Sequence, residues 1–190
     1  MSIVALVLFA IIALIVVYGI MVYNSLVTVK HNVSKAWANI DVLLKQRHDE
    51  LPKLVDACKQ YMQFERETLE KVMQARAQVF SAREKQDIGA LGAAEGMLRS
   101  GLGQLFAVAE AYPELKTNES FQQLLGRISG LENAIADRRE FYNESVNVNN
   151  VRIEQFPDLI IARMFNFQDF ALLEFQADEK QDVNVKELFK

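Results

Sequence analysis

The stretch AWANIDVLLKQRHDELPKLV, residues 36–55, holds a tryptophan, a histidine, clustered acids and bases and a proline inside what otherwise reads as one helix. Around it apolar residues recur at Val33, Trp37, Ile40 and Leu44, then at Leu51, Leu54, Cys58 and Tyr61. Steps of three and four put them on one helix face, made for packing against other helices. Trp37, Ile40, Leu44 and Leu51 are therefore read as the seam of a helical bundle.

Pro52 leaves a kinked continuous helix and a tight turn both open. The apolar steps stay in phase across it, which suits one helix. The polar run before it, with Asp49 placed as an N-cap, suits a turn, because proline costs no hydrogen bond in a first helical turn. The turn is favoured: an unbroken helix would carry the Arg47 guanidinium into the seam, where burying an unpaired charge is costly.

The same stretch is where catalysis would be sought. His48 beside Asp49 and Glu50 has the residue types of a supported general base, but sequence neighbours point around a helix rather than at each other. Asp41 shares its face only at two turns' distance, too far for a direct hydrogen bond, so His48 is read as a solvated turn position. His31 and His48 form no HxxxH or ExxH pair, and a zinc or iron site needs several converging ligands. Cys58, the single cysteine, lies on the apolar face and reads as a small core residue rather than a nucleophile. No catalytic, metal or cofactor site is expected.

Upstream, the run from Ile3 to Val22 contains no charged or amide side chain. At about 1.5 Å per residue it can cross a hydrocarbon core of roughly 30 Å, and apolar residues on every face need a solvent like lipid. It is read as a transmembrane helix that is retained, since no basic residue precedes it and no small-x-small cleavage site follows. Lys30, Lys35, Lys45 and Arg47 come after the span and no Lys or Arg before it, which places the N-terminus outside and the bulk of the chain in the cytoplasm. A lone cysteine excludes an internal disulfide and fits a reducing compartment. The formal net charge of −4 opposes the phosphate attraction that drives nucleic-acid binding, so nucleic acid is discarded as a partner.

The remainder is long enough for one domain with a sizeable core. Pro52, Pro113 and Pro157 are its only prolines, and no stretch alternates with the period of two that a half-buried strand needs. A second helical segment runs from about Met62 to Val79 and ends in the polar run 81–87. A third, rich in Gly and Ala, covers 88–111 and closes at AYPELKTNES, where Pro113 and the cap candidates Thr117, Asn118 and Ser120 mark a new start. A fourth carries Phe121, Ile128, Ile135, Tyr142 and Val146, and Asn149 and Asn150 weaken its end. The glycines between 89 and 106 lack a dinucleotide fingerprint and a phosphate-binding loop, and read as small residues that let helices approach closely. Glu110 and Glu132 are placed on solvated faces.

Tyr-Asn-x-x-Val occurs at Tyr23, Asn24 and Val27 and again at Tyr142, Asn143 and Val146. In a four-helix antiparallel bundle the first helix leaves the membrane and the fourth returns, so both copies would lie at the membrane-proximal end, where tyrosine suits the interface. Chance in a helix-rich chain is the competing explanation. The segment FPDLIIARMFNFQDFALLEF, residues 156–175, is unusually apolar. Phe165, Phe167 and Phe170, with Ile160, Ile161 and Met164, either mark a membrane or protein contact or fold back over the membrane-proximal bundle end. The expected division is a transmembrane anchor over 1–24, a helical bundle over 25–155, and an apolar C-terminal segment and tail over 156–190.

YNSLVTVKHNVSKAWANIDVLLKQRHDELPKLVDACKQYMQFERETLEKVMQAR, residues 23–76, resembles the LemA family of bacterial membrane proteins. That family's pattern is an anchor followed by YNxLV, AWxxIDVxLKxRxDxxPxLV, a Tyr, and a Glu-containing helix ending in AR. AEAYPELKTNESFQQL, ISGLENAIADRREFYNESVN and FPDLIIARMFNF are similar to its second half, so the likeness covers almost the entire chain. Val148 and Asn149 stand where the family often has a second Tyr-Asn before the final segment. The resemblance implies a membrane anchor with a short extracytoplasmic N-terminus, an α-helical up-and-down bundle and no established enzymatic activity. One branch of the family is associated with building invaginated organelle membranes in magnetic bacteria.

Residues and resemblance together lead to an all-α, non-catalytic, membrane-anchored scaffold in the bacterial inner membrane. It is expected to contact lipid, to form a homo-oligomer, to meet other membrane proteins and to need no cofactor. An adaptor or regulator of another membrane protein, such as a membrane protease, is the alternative reading, and an uncharacterised enzyme the third.

Overall fold

In a computed structural model that describes residues 2–62 and 65–174, helix α1 runs unbroken from Ile3 to Lys59 and passes through Pro52. The turn favoured at that proline does not form. The charge that argued for it is buried after all: the Arg47 side chain is 1% exposed, but its Nη2 donates to Glu95 and its Nη1 donates to Glu132 at 2.6 Å. Removing a guanidinium from water is offset only when carboxylates and good geometry meet it, and here two do. Glu132 is correspondingly drawn off the solvated face, to 17% exposure.

The proline itself is accommodated by a second arginine. Proline has no N–H for the carbonyl four residues back, here that of His48. Arg76 Nε donates to this carbonyl at 2.9 Å. The same guanidinium lies 2.7 Å from His48 Nε2 through its Nη2, and because arginine only donates, Nε2 accepts and the ring proton sits on Nδ1. The imidazole stacks on Phe80, with centroids 4.6 Å apart. Burial, and next to it the Arg76 charge, hold His48 below its usual pKa. His48 is therefore a packed helix residue rather than a solvated turn position, and the nitrogen a general base would use is already occupied.

Five further helices follow: α2 (Arg66–Glu84), α3 (Ile88–Ala109), the single turn α4 (Pro113–Lys116), α5 (Glu119–Glu154) and α6 (Asp158–Met164). Side-chain caps set several starts. Asp87 accepts from Ala90 N at 2.9 Å ahead of α3, Asn118 accepts from Phe121 N at 2.9 Å ahead of α5, and Pro113 opens α4 where its missing N–H is harmless. After α2 the backbone turns through Gln86 at φ 54°, with Asp87 N bonded to Ala82 O, a left-handed closure that usually falls to glycine.

The described residues gather into two compact units. One holds residues 41–59 of α1, then α2, α3, α4, residues 119–137 of α5 and the chain at 173–174. Asp41 takes Arg83 in a two-pronged pair at 2.5 and 2.8 Å while His48 takes Arg76, so numbers rise on α1 as they fall on α2 and the two run antiparallel. Glu50 with Arg127 and Arg47 with Glu132 give the same sense to α1 and α5. Ile128, Leu44, Leu51, Leu91, Leu98 and Val72 are among the fully buried apolar side chains at the centre of this four-helix arrangement. Cys58 is fully buried there, and burial pushes its thiol up to about 11.

Two glycines of α3 permit close approach. A Cβ on Gly101 would meet Val72 of α2 at 3.3 Å, and one on Gly92 would lie 2.0 Å from the Glu174 carbonyl oxygen. Gly92 thus admits a returning chain segment, which the small-residue reading had assigned to helix contact. The other unit, residues 1–40 with 138–172, carries the apolar run and α6. Phe175 and residues 176–190 lie outside the described residues.

The carbonyl bond to Arg76 is testable by a double-mutant cycle in chemical denaturation of the detergent-solubilised chain. Arg76→Ala should cost about 1–3 kcal/mol, because it strands a partly buried carbonyl. In a Pro52→Ala background residue 52 supplies its own N–H, so the cost should fall by on the order of 1 kcal/mol. Equal costs in the two backgrounds would show that Arg76 acts through His48 alone.

Glu95 gives a pH signature. Burial pushes its carboxyl above the ordinary value of 4.5, with Arg47 pulling it only partly back. The folded state then binds a proton more readily than the unfolded chain, so this group's contribution is full below about pH 4.5 and is lost as pH rises through the raised value. Thermal midpoints compared across pH should show wild type gaining relative to Glu95→Gln as pH falls from neutral toward 4.5; a gap that narrows on acidification would reverse the assignment.

Candidate membrane-contact site

Every residue of the run from Ile3 to Met21 except the half-buried Gly19 is exposed, with Phe9 at 74% and Leu14 at 69%. A helix that shows such side chains on all faces is stable where the surroundings are hydrocarbon, and its composition and length pass the test for a membrane span. Burial begins at its end. Val22 and Leu26 form a cluster with Ala162 of α6, flanked by Ile153, Ile161 and Phe167.

The chain beyond α5 is folded back onto this end of the span. The Phe156–Pro157 peptide bond is cis, and α6 follows it. Arg152 is paired with Asp158 at the start of α6, and its Nη2 donates to Ser25 Oγ at 3.1 Å. After Met164 the backbone reverses at Asn166, φ 53°, with Phe167 N bonded to Ala162 O. The Tyr23 ring then meets Phe165 at 4.7 Å and Phe167 at 5.9 Å between centroids. An aromatic trio of this kind adds about 0.5–1.5 kcal/mol per pair beyond area burial.

Side chains of α5 hold the returning segment. Asn150 Nδ2 donates to Phe170 O at 2.9 Å while Phe170 N donates to Asn150 Oδ1 at 3.0 Å, a closed two-bond ring between an amide side chain and a backbone. Asn149 Nδ2 donates to Gln168 O at 3.2 Å, and Tyr142 Oη donates to Ala171 O at 3.0 Å. These asparagines were expected to weaken α5. They do not, because their amides are spent on the neighbouring backbone at Gln168 and Phe170 instead of competing with their own, and α5 continues to Glu154.

That extra length separates the two Tyr-Asn copies. Ser25 is level with Arg152, whereas Tyr142 packs on Trp37 at 5.8 Å. Trp37 lies about 21 Å beyond Tyr23 along α1. Tyr142 is 3% exposed, in a core with half-buried Trp37 and buried Ile40, while Tyr23 and Asn24 are exposed at the end of the span and Asn143 is half-buried beside Tyr142. Of the three C-terminal phenylalanines, Phe165 is 53% exposed and Phe167 and Phe170 are half-buried. The apolar composition of 156–175 had flagged the phenylalanines; the contacts of Asn149, Asn150 and Tyr142 with that segment had no sequence signal beyond polar residues in an apolar helix.

Among the described residues no group of three His, Cys, Asp or Glu side chains gathers as a metal ion requires. The geometry offers apolar surface, fixed aromatic rings and a held loop, the parts of a contact site.

Comparison with known proteins fits this picture. The model of the LemA family matches residues 36–186. Magnetosome protein MamQ 2 of Paramagnetospirillum magneticum is 26% identical over 172 residues, covering 78% of this chain and 63% of that protein. Magnetosome protein MamQ of Magnetospirillum gryphiswaldense is 23% identical over the same shares. Protein LemA of Metamycoplasma hominis is 27% identical over 166 residues, 87% of this chain and 74% of that one. The match thus spans less than two thirds of the magnetosome relatives' length, and none of these names is that of an enzyme. With the family model covering most of the sequence behind its apolar helix, the chain is a membrane-associated member of the LemA family.

Proposed function

We propose that this protein is a non-catalytic scaffold, anchored by residues 3–22, that self-associates and organises or shapes the inner membrane and its proteins. The observation that carries the reading is the folding of α6 and the extended segment after it onto the end of the apolar run, which gathers apolar and aromatic side chains there. Relatives named as magnetosome proteins support it. The proposed orientation puts the N-terminus outside and the helical body in the cytoplasm. Lys30, Lys35 and Lys45 favour it and are all exposed, whereas Arg47 is committed to its buried carboxylates.

One specific feature favours the adaptor reading. A groove of about 330 Å³ opens between α1 and α5, lined by Val29, Asn32 and Lys35 on one side and Phe141, Glu144 and Val148 on the other. Exposed apolar side chains at Phe141 and Val148, a heptad apart, are suited to a helix of another protein.

Native mass measurement and electron microscopy after mild detergent extraction separate the two. A scaffold should appear as a large, regular, homomeric assembly. A small complex containing a second protein would replace it with the adaptor reading.

A further inference from the structure

The outer face of α6 is apolar, and no described residue covers it. Ile160 is 57% exposed, Met164 65% and Phe165 53%. The inner face is seated on α1: Ala162 packs with Val22 and Leu26, and Ile161 Cδ1 lies 3.8 Å from the place a Cβ on Gly19 would occupy. A groove of about 360 Å³ runs between them, walled by Ile15, Gly19 and Tyr23 on one side and by Ile161, Met164 and Phe165 on the other. Position along α1 decides what surrounds this groove. Gly19, against which Ile161 lies, is about 6 Å below Tyr23 on the span side.

We propose that α6 with Phe165 is a wedge inserted into the acyl region of the leaflet from which α1 emerges, and that lipid is what covers Ile160, Met164 and Phe165. The inference rests on residues 3–22 crossing the bilayer. The exposed surface is continuous with the surface of the span, so one solvent serves both. Interfacial helices lie with their apolar face about 5–10 Å into the headgroup and acyl boundary, which matches the level of the groove. Arg163 stands on the same exposed arc, and its stem can lie along acyl chains while the guanidinium reaches lipid phosphate. Asp158, the acid of α6, is already neutralised by Arg152. Asn149 and Asn150 tether the segment after α6 to α5. Insertion into one leaflet expands that leaflet alone and bends the bilayer convex toward the helical body, which supplies a physical means for the proposed shaping role.

The test is depth-dependent fluorescence quenching of the full chain in phosphatidylcholine vesicles. Single cysteines replace Ile160, Met164, Phe9 or Val42 in a Cys58→Ala background and carry an environment-sensitive dye. Phe9 reports the span, and Val42, 55% exposed on the body, reports water. The expected result is quenching at Ile160 and Met164 by lipids brominated on the acyl chain, as at Phe9, with protection from aqueous iodide. Iodide quenching at these two sites, as at Val42, would overturn the wedge while leaving the anchor intact. Protection from both quenchers would mean that protein covers the face, and would equally overturn it. Loss of bromolipid quenching at Phe9 would remove the anchor on which the inference stands. Assembly size, measured separately on wild type, decides the scaffold reading and does not enter this result.

Discussion

Helix α1 has to satisfy two solvents within one unbroken hydrogen-bonded rod, and the placement of the other elements follows from how it does so. Over residues 3–22 it is apolar on every side and suits hydrocarbon. From Leu26 onward it narrows to one packing face, carried by Val33, Ile40, Leu44 and Leu51, all buried. Pro52 and Arg47 are the two residues that threaten a break, and each is answered by charged side chains from other helices: Arg76 for the carbonyl that proline leaves without a donor, Glu95 and Glu132 for the buried guanidinium. A single lost partner here leaves a polar group buried and unpaired, the most expensive local defect a helical core can carry.

The membrane-proximal end uses a different logic. No ion cluster holds α6 in its place from within; apolar contact with Val22 and Leu26 does, and the Arg152–Asp158 pair and the Ser25 hydroxyl fix the point where the helix starts. The segment that leaves α6 is extended and joins no regular element among the described residues. Asn150 serves as its partner, giving one donor and one acceptor to the same backbone unit. The result is a segment held by hydrogen bonds to α5, with exposed apolar side chains at Met164 and Phe165.

Much of this was legible in the residues. The period of three and four around Ile40 and Leu44 matches a buried face, the uninterrupted run after Ser2 is the span candidate, and Pro113 and Asn118 marked the starts of helices by ordinary capping chemistry. What could not be read was pairing across sequence distance. Arg47 and Pro52 looked like evidence for a turn because their partners, Arg76, Glu95 and Glu132, are defined only once the helices have packed. Asn149 and Asn150 looked like helix breakers because propensity counts the cost of an amide in a helix and not the backbone it will meet. The repeated Tyr-Asn was legible as a repeat, but its two copies landed about 21 Å apart along α1 because α5 continues about three turns past Tyr142 to Glu154.

The central claim is that α6 is seated against the membrane-spanning part of α1 rather than beside it. Nitroxide labels at Ile15 and Met164, both 65% exposed and both lining one groove, measure this directly in the full chain reconstituted in a lipid bilayer and diluted with unlabelled protein. The frozen spectrum of the doubly labelled chain should be strongly broadened by dipolar coupling relative to the two single labels. A spectrum equal to the sum of the singles would place α6 away from the span and contradict the account.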